Sequence, residues 1–105
     1  MEEMNEYQVI VSQKATKMLV SHAAFLAQVS PEAARKLTKD FQETSSSLSF
    51  MPTRYPWLDS EYIAKYKYRY VIFGKRYLMI YQIIDKKVYV DYVVDCRQDY
   101  AWLIK

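Results

Sequence analysis

The chain has 105 residues, a formal net charge of +3, 51% apolar residues, and a single cysteine, glycine and histidine. It is too apolar to be disordered and long enough for one domain, residues 1–105, with a modest core. Its composition excludes an intramolecular disulfide, its apolar runs are too short to span a membrane, and its polar start, MEEMNEYQ, does not read as a secretory signal, so a cytoplasmic protein is expected.

Residues 7 to 11 are short, β-branched and apolar enough for a strand. From 13 to about 28 the period changes. Ala15, Met18, Leu19, His22, Phe25, Leu26 and Val29 follow the spacing of an amphipathic helix. Ser30-Pro31 then restarts a helix, with serine as N-cap, proline at the first helical position and Glu32 in the first turn. Ala34, Leu37, Phe41, Ser45 and Leu48 share its apolar face, so the two segments make a helical hairpin. Residues 49 to 63, with Pro52 and Pro56 around RYPWL, read as an irregular loop with Tyr55 and Trp57 pinned on the core.

Strands are expected over roughly 65–73, 76–84 and 87–94, as an antiparallel meander. Gly74-Lys75 fits a two-residue type II′ turn, and Asp85-Lys86 the next turn. That register sets Phe73 against Arg76, Tyr70 against Met79 and Tyr68 against Tyr81. It puts Tyr66, Tyr68, Tyr70, Ile72, Tyr77, Met79, Tyr81, Ile83, Val88, Val90, Tyr92 and Val94 on one uncharged face for the helices to cover. Lys67, Arg69, Val71, Phe73, Arg76, Leu78, Ile80, Gln82, Tyr89, Asp91, Val93 and Asp95 fall on the other, with Arg97 just beyond its edge. The expected fold is α+β: an N-terminal strand, a helical hairpin, a three-stranded antiparallel meander and a short C-terminal helical turn over 98–104.

The charge is unevenly spread. Residues 64 to 77, AKYKYRYVIFGKRY, carry five basic residues and no acid. A local basic patch on a near-neutral protein suggests a site for an anion. Alternating Lys and Arg also describe the wet side of an antiparallel strand, and at a sheet edge they guard against aggregation. Asp91 and Asp95 share that face and can orient Arg69 and Arg76. His22 and Cys96 read as packing residues. They and the carboxylates lack metal-ligand spacing, so no metal or other cofactor is expected.

The phrases KYKYR, RYLMIYQIIDKKVYV and DCRQDY, on this order of elements, resemble the RelE/ParE superfamily of bacterial type II toxins. The resemblance implies a cytoplasmic toxin neutralised by a cognate antitoxin. It implies one of two activities: metal-free cleavage of mRNA on the ribosome, in RelE-like members, or inhibition of DNA gyrase, in ParE-like members. A nuclease would use Lys65, Lys67, Arg69 and Arg97 on the phosphate and Tyr100 as base or stacking group. Arg76, Gln82 and Tyr89 would bind substrate, and Trp102 and Leu103 would contact a protein partner. Two positions depart from the nuclease pattern: Leu78 stands where an arginine is expected, and Asp99 replaces a histidine. The ending Arg97-Gln98-Asp99-Tyr100 suits ParE-like members equally. mRNA cleavage is the leading expectation, gyrase inhibition the alternative, and an inactive antitoxin-binding homologue a third.

Overall fold

The computed structural model describes residues 6–61 and 63–97. Its elements run β1 (Gln8–Val11), α1 (Gln13–Ala27), α2 (Pro31–Ser47), a 3-10 turn (Pro52–Arg54), β2 (Arg69–Phe73), β3 (Tyr77–Ile84) and β4 (Lys87–Asp95). The C-terminal turn expected over 98–104 lies outside the described residues, as do Tyr100, Trp102 and Leu103.

Both helices begin at serine caps. The Ser12 hydroxyl accepts from the Ala15 amide at 2.9 Å, and the Ser30 hydroxyl from Ala33 at 3.1 Å, with Pro31 in the first turn. Each cap satisfies an amide that a helix start leaves orphaned. Arg54 closes the other end of the hairpin, donating to carbonyls of Ser47, Phe50 and Met51 just past α2.

The sheet order is β1-β4-β3-β2, with β1 parallel to β4 and the other pairs antiparallel. The helical hairpin covers one face. Ala15, Leu19, Leu37, Phe41 and Leu48 pack there on Val71, Phe73, Tyr77, Met79, Tyr81, Val88, Val90 and Val93. His22 is half-buried at this contact. Its Nε2 donates to the Val93 carbonyl at 3.0 Å, and its ring tilts against Tyr77. The helix stripe is narrower than its periodicity suggests: Phe25 and Val29 are 68% and 83% exposed.

The register between β2 and β3 differs from expectation. Phe73 pairs with Tyr77, which leaves three residues, Gly74-Lys75-Arg76, in the turn. Gly74 (φ +58°) and Lys75 (φ +75°) are both left-handed, and the Arg76 carbonyl accepts from the Cys96 amide at 2.8 Å. One extra turn residue moves every β2 side chain to the other face. Arg69, Val71 and Phe73 therefore lie on the helix side, and Tyr68 and Tyr70 on the opposite side. The Ile84–Lys87 turn is as expected, but a bulge at Ile80/Tyr81 sets Asp91 between registers, so that Tyr92 and Val94 leave the helix face.

The second face is not a solvated one. Leu58, Ile63 and Tyr68 cover Leu78, Ile80, Tyr92 and Val94 as a second cluster, with Met18 touching both. This cover is tied to the edge of β2: the Leu58 amide donates to the Tyr68 carbonyl at 2.7 Å and the Tyr70 amide to Pro56 at 3.2 Å. The added antiparallel contact between Trp57 and Arg69 closes part of an otherwise open strand edge.

Candidate functional site

The basic stretch is not a strand over its whole length. Lys65, Tyr66 and Lys67 form an exposed turn, and β2 starts only at Arg69. Tyr66 is left-handed (φ +61°) and 72% exposed. That conformation is uncommon for a bulky residue and turns its ring outward from the ladder. The ring meets the edge of Trp57 at 5.5 Å between centroids. The Arg69 guanidinium lies 3.8 Å over the other part of this cluster, the Trp57 ring.

Arg69 is also held by backbone. Its Nη1 donates to the Tyr55 carbonyl at 2.6 Å and to Thr53 at 3.1 Å. The Tyr81 hydroxyl donates to Pro52 at 2.6 Å beneath it, and burial pushes that phenol's pKa far up. Thr53, Trp57, Tyr66, Lys67, Arg69 and Ile83 line a concavity of about 180 Å³. Next to it Trp57, Leu58, Asp59, Lys65 and Tyr66 line another of about 280 Å³. The fold thus brings Lys65, Lys67 and Arg69 to one aromatic-walled end of β2. Lys67 is additionally within 5.3 Å of the Tyr68 ring centroid.

The remaining candidates lie elsewhere. Arg69 pairs with Tyr81, whereas Arg97 follows Asp95, which pairs with Tyr77. Those β3 positions are four steps apart along the strand, about 13 Å at strand rise. Arg97 forms a two-pronged pair with Asp95, Nη2 to Oδ2 at 2.7 Å and Nε to Oδ1 at 3.1 Å. The Arg97 hydrogen bond holds the Asp95 carboxyl below its ordinary pKa despite burial, and the same bond raises that of Arg97. Gln82 donates to Asp91 at 2.8 Å. Asp91 thus holds Gln82 and not Arg69, while Asp95 holds Arg97 and also feels the charge of Arg76. Arg76 sits in the β2–β3 turn away from Arg69, and Tyr89 is half-buried, pairing with Gln82. Leu78 is buried in the second cluster.

Trp57, which the sequence reading pins on the core, is instead 39% exposed, and its candidacy as a contact residue was missed. RYPWL reads as loop, and its pairing with residues 68–70 follows no period. The signal present was the aromatic pair Tyr55 and Trp57 on either side of Pro56, with no mark of the partner strand.

A family model described as the ParE toxin of the type II toxin–antitoxin system parDE matches residues 9–100. The solved structure of a chromosomal ParDE toxin–antitoxin system from P. aeruginosa is similar to this chain with a TM-score of 0.69 and 15% identity, covering 87% of this chain and 97% of that one. At that identity the likeness speaks for the fold. No curated protein matches in sequence. The helical hairpin on a four-stranded sheet and the family match over nearly the whole chain agree, and the chain belongs to the ParE toxin family of type II toxin–antitoxin systems.

Proposed function

We propose that this toxin, whose partner is a cognate antitoxin, acts by binding DNA gyrase and not by cutting mRNA. The observation that carries the reading is the separation of Arg97 from the Lys65, Lys67 and Arg69 end of β2, with both arginines already engaged by other groups. Stabilising a pentacovalent phosphate requires donors already aimed at one point. Here Arg69 is committed to Thr53, Tyr55 and Trp57, and Arg97 to Asp95, about 13 Å along the sheet. Leu78, in the position where related nucleases carry an arginine, is buried. Such an arrangement suits a contact surface better than a reacting centre. Trp57, Tyr66, Lys65 and Lys67 offer exposed aromatic area beside positive charge, the mixture that anchors interfaces. A gyrase target implies action in the cytoplasm.

The test is a supercoiling assay with purified gyrase, run beside primer extension on messages from cells briefly expressing the chain. Inhibition at micromolar toxin with uncut messages supports the reading. Discrete in-frame cuts with unaffected supercoiling would establish the ribosome-dependent nuclease instead, with Lys65, Lys67, Arg69, Arg97 and Tyr100 as its first residues to substitute.

A further inference from the structure

The two concavities at the Trp57 end share a wall. Trp57 and Tyr66 line both the hollow of about 180 Å³, which holds Lys67, and the hollow of about 280 Å³, which holds Lys65. The ring pair therefore stands as a ridge between two hollows, each with its own lysine. The two rings are not equivalent. The Arg69 guanidinium covers the Trp57 ring at 3.8 Å, whereas Tyr66 is 72% exposed. The edge contact with Trp57, 76° between the planes, fixes how the Tyr66 ring is presented. Tyr66 holds that ring out on a left-handed backbone (φ +61°), which a bulky side chain seldom adopts. Burial of the ring does not offset this strain, and strain of this kind clusters at ligand sites. Asp59 is the one acid lining either hollow among the described residues.

We propose that this ridge and its two hollows hold two successive unpaired nucleotides of a DNA strand. The identity of the strand rests on the gyrase reading, since an enzyme that opens DNA presents unpaired bases beside its own surface. One base lies on each side of the ridge, and one of them stacks on the open face of Tyr66. Stacking of this kind accepts any base, because every base has a π-face. Lys65 and Lys67, one on either side of Tyr66 in the chain, meet the phosphates that flank the stacked base. Asp59 repels phosphate from the larger hollow, so the bases point inward and the backbone runs along the lysines. A duplex gains only the lysines, because its bases are already stacked on one another. An anionic chain without bases gains no more than that.

The experiment uses the full chain, isotopically labelled so that the Trp57 indole N–H resonance is followed directly. The probes are a short oligothymidylate, an abasic strand with the same number of phosphates, a duplex of equal length, and the matching oligouridylate. Oligothymidylate is expected to bind saturably and to move the Trp57 resonance. The abasic strand should bind at least about tenfold more weakly, the scale of one or two stacked bases. Tyr66→Ala, at an exposed position, keeps the amide spectrum of the folded protein and brings oligothymidylate close to the abasic strand. Lys65→Gln and Lys67→Gln weaken both strands alike, and each makes the log–log salt dependence shallower by about 0.7. Equal binding of the abasic strand or the duplex, or binding that leaves Trp57 unmoved, would overturn the proposal. Equal or tighter binding of oligouridylate would overturn it too, by assigning the site to RNA. The supercoiling assay separates the two readings. Strand binding with unaffected supercoiling would refute the gyrase target and support the site. Gyrase inhibition by a toxin that binds no strand would refute the site and keep the target.

Discussion

Arg69 offers the sharpest separation between a structural role and a substrate-binding one. Replacing it by alanine removes two hydrogen bonds, to Tyr55 at 2.6 Å and Thr53 at 3.1 Å, and a stacking contact 3.8 Å from Trp57. Hydrogen bonds from a charged donor contribute about 1.5–3 kcal/mol each, less where solvent reaches them, as at Thr53. An exposed cation–π contact adds about 0.5–1 kcal/mol. Arg69→Ala should therefore lose about 2–4 kcal/mol. Arg69→Lys should lose about 1–2 kcal/mol, since an ammonium cannot hold both carbonyls and stack as a plane does. Urea unfolding followed by far-UV circular dichroism measures both, with the slope checked for constancy. A double-mutant cycle with Trp57→Leu should return a coupling of about 0.5–1 kcal/mol. If Arg69→Ala cost less than about 0.5 kcal/mol, the clamp would not hold the Pro52–Trp57 segment on the sheet. A loss of toxicity in that variant could then be read directly as a lost target contact. With the clamp intact, such a loss must first be corrected for the fraction of folded protein.

Tyr81→Phe should cost about 1–3 kcal/mol and lower the melting temperature, because the Pro52 carbonyl loses its buried donor. Asp95 has a depressed folded pKa, so its contribution is present above about pH 4 and lost as pH falls through the folded value. Asp95→Asn should flatten the acid limb of a stability–pH curve, and an unchanged limb would refute the Arg97 pairing. At the alkaline end, burial foremost and then nearby Asp91 and Tyr92 push the Tyr68 phenol up to about 12. Its share of stability is intact below about pH 10 and falls as pH rises toward 12, a loss that Tyr68→Phe should reduce. Gly74→Ala should destabilise by about 1–2 kcal/mol, since alanine is strained at φ +58° and its methyl presses on Leu37. A neutral result in chemical denaturation would mean the turn relaxes freely.

The helical hairpin was legible because its signals are local. Ser30-Pro31 marks a cap within one turn, and Leu37, Phe41, Ser45 and Leu48 repeat at helical spacing, all buried as expected. The meander's existence and its Asp85-Lys86 turn were legible for the same reason. Its faces were not. Whether two or three residues follow Phe73 depends on Arg76 pairing with Cys96, a contact twenty residues away in sequence. That single residue decided which side Arg69 and Val71 take. The alternation KYKYR looked like a strand although its first half is a turn, because tyrosine suits both a sheet and an exposed ring on a loop. The second face looked half-wet because its cover, Leu58 and Ile63, comes from a segment without periodicity.

The pairing of β1 with β4 has a consequence for how the molecule is made. Gln8 to Val11 have one ladder partner, Lys87 to Val90, and the Ser12 hydroxyl reaches Asp91 across 79 residues of chain. A strand of four residues has little stability by itself, and this one sits at the sheet's margin. β1 must therefore wait for β4, made much later along the chain, before it has a ladder partner. Until then the hairpin can form, but the sheet lacks β4, the strand that joins β1 to β3. Long-range closures of this kind slow folding, since loop entropy is lost before contacts compensate. A nascent chain stalled short of residue 87 holds its helices without the part of the surface that β4 supplies, Val88, Val90 and Val93. The four-stranded sheet therefore closes only once β4 has been made, and then nearly all at once.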